Sequence, residues 1–156
     1  MWLRALASVW RRAPKRVRRW SVWVVNPHFT VTVGAVVHDE RGRVLLFNHV
    51  FRKGSGWGIP GGFIERGEPP EAALRRELCE EAGMELEEAE LAFVRTHRRP
   101  QQIEIIFRCR VVPGALRLQR DEIKGVEWFE RERLPHGLSR DQRRLIERAL
   151  DGEARS

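Results

Sequence analysis

Residues 51 to 68 contain six glycines, at positions 54, 56, 58, 61, 62 and 67, and Pro69-Pro70 follows directly. Glycine at that density means backbone that turns tightly or comes close to another group. Proline at the start and Gly83 past the end then delimit a helix from Pro69-Pro70 to about Ala82. On such a helix Glu77, Glu80 and Glu81 stand at i, i+3 and i+4 and share one face. Like charges at that spacing repel, so a fold that keeps them implies cations nearby, and hard divalent ions prefer oxygen ligands. Leu74, Leu78 and Ala82 recur at spacing four and can dock the helix on a sheet. Ala73 falls on the acidic side, where its small size would leave room for a ligand.

The flanking pattern is mostly β. Phe29 to Val37 reads as a buried strand, Glu40-Arg41-Gly42 as a turn, and Arg43 to Asn48 as a second strand. Leu91 to Thr96, Gln102 to Val112 and Val126 to Phe129 read as three more, with Pro113-Gly114 as the turn closing one of them. Ser139 followed by Gln142 is a capping box for a closing helix whose stripe is Leu145, Ile146, Ala149 and Leu150. Strands with one helix in the middle and one at the end predict a mixed sheet covered by helices on its faces.

The complete spacing is more specific than any of its parts. Gly62, five residues, Glu68, seven residues, Arg76-Glu77-Leu78, one residue, Glu80-Glu81, one residue and Gly83-Met84 resembles the Nudix box without a departure. Seven fixed identities and two apolar sites arise by chance about once in a billion starting positions. Trp57-Gly58-Ile59-Pro60-Gly61 is also similar to the lead-in common in Nudix hydrolases. The order of strands and helices fits that family over residues 29 to 150.

The resemblance implies an α/β fold, a Nudix-type α/β/α sandwich with a mixed β-sheet over residues 26–152. It also implies hydrolysis of a pyrophosphate bond in a nucleoside diphosphate linked to another moiety, using Mg²⁺ or Mn²⁺. Carried over by position, Glu77, Glu80 and Glu81 would ligate metal with the Gly61 carbonyl, and Arg76 and Glu68 would form a supporting pair. The general base is either Glu77 or a glutamate outside the box, for which Glu104 and Glu122 are the candidates. Arg98 and Arg99 fit phosphate binding or an ordinary exposed pair, and Trp57 fits either stacking on a base or packing of its loop.

Charge divides the chain unevenly. Seven of its 29 Lys and Arg precede residue 20, before any acidic residue, which leaves 22 against all 22 acids in the rest. The body is neutral, which does not support a basic groove running across it, although a local cluster could still bind phosphate; no specific nucleic acid is expected as a partner, and a nucleic-acid-binding role would rest on the arm alone. Residues 1–25 form that basic, Trp-rich arm, with a short amphipathic helix over residues 2 to 13, ended by Pro14, and a Trp-rich extended stretch from Trp20 to Val25. Such an arm suits packing on the domain or on a second protomer, or attachment to an anionic membrane surface, and it shares the Arg-rich, acid-free character of an organellar transit peptide. Further arginines stand where a signal-cleavage site would lie, and two unclustered cysteines, Cys79 and Cys109, point to a reducing cytoplasmic setting, membrane-peripheral if the arm attaches. The rival to an enzyme is a noncatalytic nucleotide-binding module on the same fold, which would be expected to have lost some of the acids present here.

Overall fold

The computed structural model describes residues 10–11, 13–52, 54–114 and 116–152. The helix expected over residues 2 to 13 falls almost wholly outside them. Its successor is a correction to the sequence reading, because Lys15–Val25 is helical (α1) where Trp20 to Val25 is expected to be extended. Neither glycine nor proline interrupts the segment between Pro14 and Asn26, and its hydrophobic residues repeat with helical spacing.

Six strands follow: β1 Thr30–Val37, β2 Val44–His49, β3 Trp57–Gly58, β4 Leu86–His97, β5 Gln102–Val111 and β6 Ile123–Phe129. Between them lie α2, Pro70–Ala82, a 3-10 turn at Arg131–Arg133, and α3, Arg140–Asp151. The strands divide into two sheets of three, ordered β1-β5-β4 and β3-β2-β6. The first is mixed, with β1 parallel to β5 from Thr30↔Gln102 to Val37↔Cys109 and β4 antiparallel to β5. The second is antiparallel.

Alternation along β1 and β2 builds two cores on opposite faces. Val33, Ala35, Leu45 and Phe47 pack with Leu74, Leu78 and Ala82 of α2. Val36, Val44 and Leu46 pack with Ile106 and with Leu145, Ile146 and Ala149 of α3. The strands are thus held between two helices, the expected α/β/α layering. Ala73 departs from its expected role, since it is fully buried in the α2 core and offers no space to a ligand.

Both helix ends follow their sequence signals. Pro70 starts α2, and Gly83 ends it at φ 65° with its amide donating to the carbonyls of Cys79 and Leu78. Ser139 Oγ accepts from the Gln142 amide at 3.1 Å, as a cap should. The Gln142 side chain does not complete the box. Its Oε1 accepts from the Ile59 amide at 3.1 Å, tying α3 to the glycine-rich loop.

Candidate active site

Residues 60–64 lie against β1 as an irregular strand. Val33 and Gly62 exchange amide-to-carbonyl bonds of 2.9 and 3.1 Å, and the Ala35 and Ile64 amides bond to Pro60 and Val31. Gly61 takes φ 146°, and a Cβ there would meet the Val33 carbonyl oxygen at 2.2 Å, so backbone packs where a side chain would stand. A Cβ on Gly62 would lie 2.2 Å from Glu77 Oε1. The two glycines therefore let β1, the loop and α2 come together with a carboxylate at the junction.

Arg76 organises the acidic face. Its Nε and Nη2 donate to the two oxygens of Glu68 at 3.0 Å each, Nη1 donates to Glu77 at 2.9 Å and Glu80 at 3.2 Å, and Nη2 also donates to the Phe63 carbonyl. Glu68 in turn accepts from the Glu65 amide at 3.0 Å. Hydrogen bonds from Arg76 hold the Glu68 carboxyl below its ordinary range. The supporting pair expected from the box is thus formed, and it also restrains two of the expected metal ligands.

Glu81 is different in kind. It is 6% exposed, and burial followed by the Glu77 charge pushes its carboxyl up to about 7, against the opposing hydrogen bond with the Gly61 backbone. Its Oε2 is buried with no hydrogen-bond partner. Burial also raises Glu77, and Arg76 opposes that shift. His49 Nδ1 lies 3.7 Å from Glu81 Oε1, but burial and the charge of Arg52 depress the imidazole to about 4, so the neutral ring contributes no full ion pair.

Glu122, exposed in the loop before β6, bears on both Glu77 and Glu81, raising each. Its backbone is fixed from two sides. The Val50 amide donates to the Glu122 carbonyl at 2.7 Å, and the Glu122 amide donates at 3.0 Å to the carbonyl of Gln119, whose own amide donates to the Glu81 carbonyl at 3.0 Å. Glu104, whose charge also bears on Arg52, accepts from Arg95 Nε at 2.5 Å with His97 Nε2 at 3.4 Å. Arg95 reaches on to Asp141 of α3 with two bonds of 2.9 Å.

Arg52 and His49 are site residues that sequence reasoning missed. The Arg52 guanidinium lies over Gly58, where a Cβ would stand 1.1 Å from Nη1, and Nη1 is buried without a partner. The charges of Glu81 and Glu104 both stabilise its cation against burial. The available signal was Gly58 itself, since glycine inside a strand marks a close approach by another group.

The other expected substrate contacts are less central. Trp57 packs its ring edge-on against Phe129 at 5.1 Å, which is the loop-packing alternative. Arg98 and Arg99 are exposed in the turn between β4 and β5.

Among the described residues, no three His, Cys, Asp or Glu side chains are grouped so as to hold a metal ion as they stand. The donor set nevertheless fits a divalent cation. Glu77, Glu80 and Glu81 are all oxygen donors, Glu81 keeps one buried oxygen unpartnered, and the mutual repulsion of Glu77 and Glu81 is what a cation relieves.

Comparison with known proteins gives a consistent result. The sequence profile of the NUDIX domain matches residues 28–149. A MutT-like protein of Streptomyces ambofaciens is 32% identical over 127 residues, which are 81% of this chain and 80% of that protein. The 8-oxo-dGDP phosphatase NUDT18 of Homo sapiens is 33% identical over 142 residues, 88% of this chain but only 41% of the human protein. Among solved structures, a MutT NUDIX hydrolase from Burkholderia pseudomallei superposes with a TM-score of 0.69 at 30% identity, over 78% of this chain and 98% of that one.

Proposed function

This chain belongs to the Nudix hydrolase family, and we propose that it cleaves a pyrophosphate bond in a nucleoside diphosphate linked to another moiety, releasing a nucleoside monophosphate and a phosphorylated product. The observation that carries the proposal is the convergence of Glu77 and Glu81 on the Gly61–Gly62 loop, with the Glu122 charge bearing on both and a buried Glu81 oxygen left for a ligand.

Nudix hydrolases are generally dependent on a divalent metal. Glu77, Glu80 and Glu81, with the Gly61 carbonyl, would hold Mg²⁺ or Mn²⁺. When bound, the metal supplies positive charge against the pyrophosphate oxygens and makes a water in its shell more acidic. The chain's own groups do the rest. Arg76 orients Glu77 and Glu80 through its hydrogen bonds, while Glu68 holds Arg76. Arg52 keeps a cation beside Glu81 and Glu104 that would offset the charge of a substrate phosphate. Glu122, exposed beside the cluster, takes the proton of the attacking water as its oxygen bonds to phosphorus, and the P–O bond to the departing phosphate breaks.

A product screen tests this reading. The chain is incubated with ADP-ribose, CDP-alcohols, nucleotide sugars, dinucleoside polyphosphates and oxidised nucleotides, with Mg²⁺ or with Mn²⁺. A nucleoside monophosphate from at least one class, abolished by chelator, is expected. Tight binding of a nucleotide without turnover of any class would favour the noncatalytic module instead.

A further inference from the structure

The hydrolase site makes no use of α1. None of its residues is buried, and Trp20, Trp23 and Val25 are 65%, 63% and 81% exposed. At 100° per residue, Val17, Trp20, Val24 and Val25 fall in one arc, while Lys15, Arg16, Arg18 and Arg19 fall in the other with Val22 and Trp23 between them. Among the described residues none of those four cations is paired with a carboxylate, and the sequence offers no acid before Asp39. Trp10, Val22 and Trp23 line a second apolar groove of about 690 Å³, rimmed by Lys15, Arg18 and Arg19. The helix thus presents apolar surface and cationic rim side by side.

We propose that α1 is a docking surface for an anionic lipid bilayer, lying in the plane of the interface with its apolar arc toward the acyl chains and its cations among the headgroup phosphates. Charge complementarity selects this occupant. A second copy of the helix would bring Arg against Arg with no acid to compensate, since the first acid of the chain is Asp39. A nucleic acid would satisfy the arginines but leave the Val17, Trp20 and Val24 arc in water. A lipid interface accommodates both faces, and tryptophan with arginine is the composition that such helices carry. The helix is 11 residues, too short to cross a bilayer, so it lies on the surface.

The test uses the full chain with sedimenting vesicles, either phosphatidylcholine alone or phosphatidylcholine with about one-third phosphatidylglycerol. The chain is expected to pellet with the anionic vesicles, to stay in solution with the neutral ones, and to be released by salt. Arg18→Gln with Arg19→Gln should weaken binding on the order of tenfold or more, and Trp20→Ser with Val24→Ser should weaken it while leaving its salt dependence. Because α1 buries nothing, thermal unfolding of these variants should match the parent chain, and hydrolysis of a soluble substrate should be unchanged. The proposal is overturned if the parent chain remains in solution with anionic vesicles, if both double variants pellet like the parent, or if single-stranded RNA displaces the chain from vesicles at equal charge concentration.

Discussion

The Glu77 carboxylate occupies the space that a side chain on Gly62 would need, with Oε1 2.2 Å and Oε2 2.6 Å from the Cβ position. The glycine is there for the neighbour and not for a left-handed backbone, since its φ does not lie in the positive region. Gly62→Ala should therefore displace Glu77 and lower kcat/KM on the order of a hundredfold, the usual consequence of moving a site group by about an ångström. Steady-state kinetics beside a melting curve check this. Unchanged turnover would mean that the Glu77 position is not needed.

Glu80→Gln and Glu81→Gln should each reduce turnover by a factor on the order of a hundred, about 2.7 kcal/mol of transition-state stabilisation. Glu87→Gln, exposed just beyond the box, is the control and should behave as the parent. Titrating Mg²⁺ against each variant reads the metal dependence directly. Parent-like activity in both variants, or activity that survives chelator, contradicts the assignment of this face.

The metal-free protein should show a pH signature traceable to Glu81. Its folded carboxyl ionises near 7 against an ordinary value of 4.5, so between these values the folded state binds more protons than the unfolded one. Its contribution then makes the protein more stable as pH falls through that window and less stable as pH rises through it. Glu81→Gln removes the effect, so in chelator the variant should melt above the parent at pH 8, with the gap closing by about pH 4.5. A constant gap across the range would show that Glu81 does not titrate as described.

Arg52→Gln should lower kcat/KM by about tenfold or more while leaving the melting temperature unchanged or higher, because it removes a desolvated cation that has an unpartnered nitrogen. A rise in KM with kcat retained would locate the loss in binding, and a loss in kcat would locate it in the transition state. A variant with parent kinetics excludes contact with the substrate.

The two glutamates outside the box should separate cleanly. Glu122→Gln is expected to cut kcat by about a hundredfold or more with a fold of parent stability, as for loss of a proton acceptor. Glu104→Gln should instead cost about 1–3 kcal/mol of stability, since Arg95 loses an anionic partner in a half-buried site. The reverse pattern would assign the base to Glu104.

How much of this was legible beforehand depended on whether the signal was local. The ends of α2 and α3 could be read because Pro70, Gly83 and Ser139 act on adjacent backbone. Trp20 to Val25 was misread because tryptophan and valine favour strands, whereas the uninterrupted run from Lys15 to Val25 continues as helix. The two-sheet division was not readable, since β1 finds its parallel partner far along the chain, at Gln102 to Cys109. The box residues could be located by spacing, and their support by Arg76 and Glu68 is a short-range consequence of that spacing. Arg52 has no marker in spacing, and its one signal is indirect, a glycine at position 58 over which the loop folds back.

The bond from Ile59 to Gln142 joins residues 83 apart, and Ser55 Oγ donates to the Gly137 carbonyl across 82. Both tethers hold the glycine-rich loop from a segment made near the end of synthesis. As the chain emerges from N- to C-terminus, every acid of the box is present while the loop that must approach Glu77 lacks two of its anchors. Full anchoring of the glycine-rich loop then waits on the last helix, although its pairing with β1 through Val33 and Ala35 can form earlier.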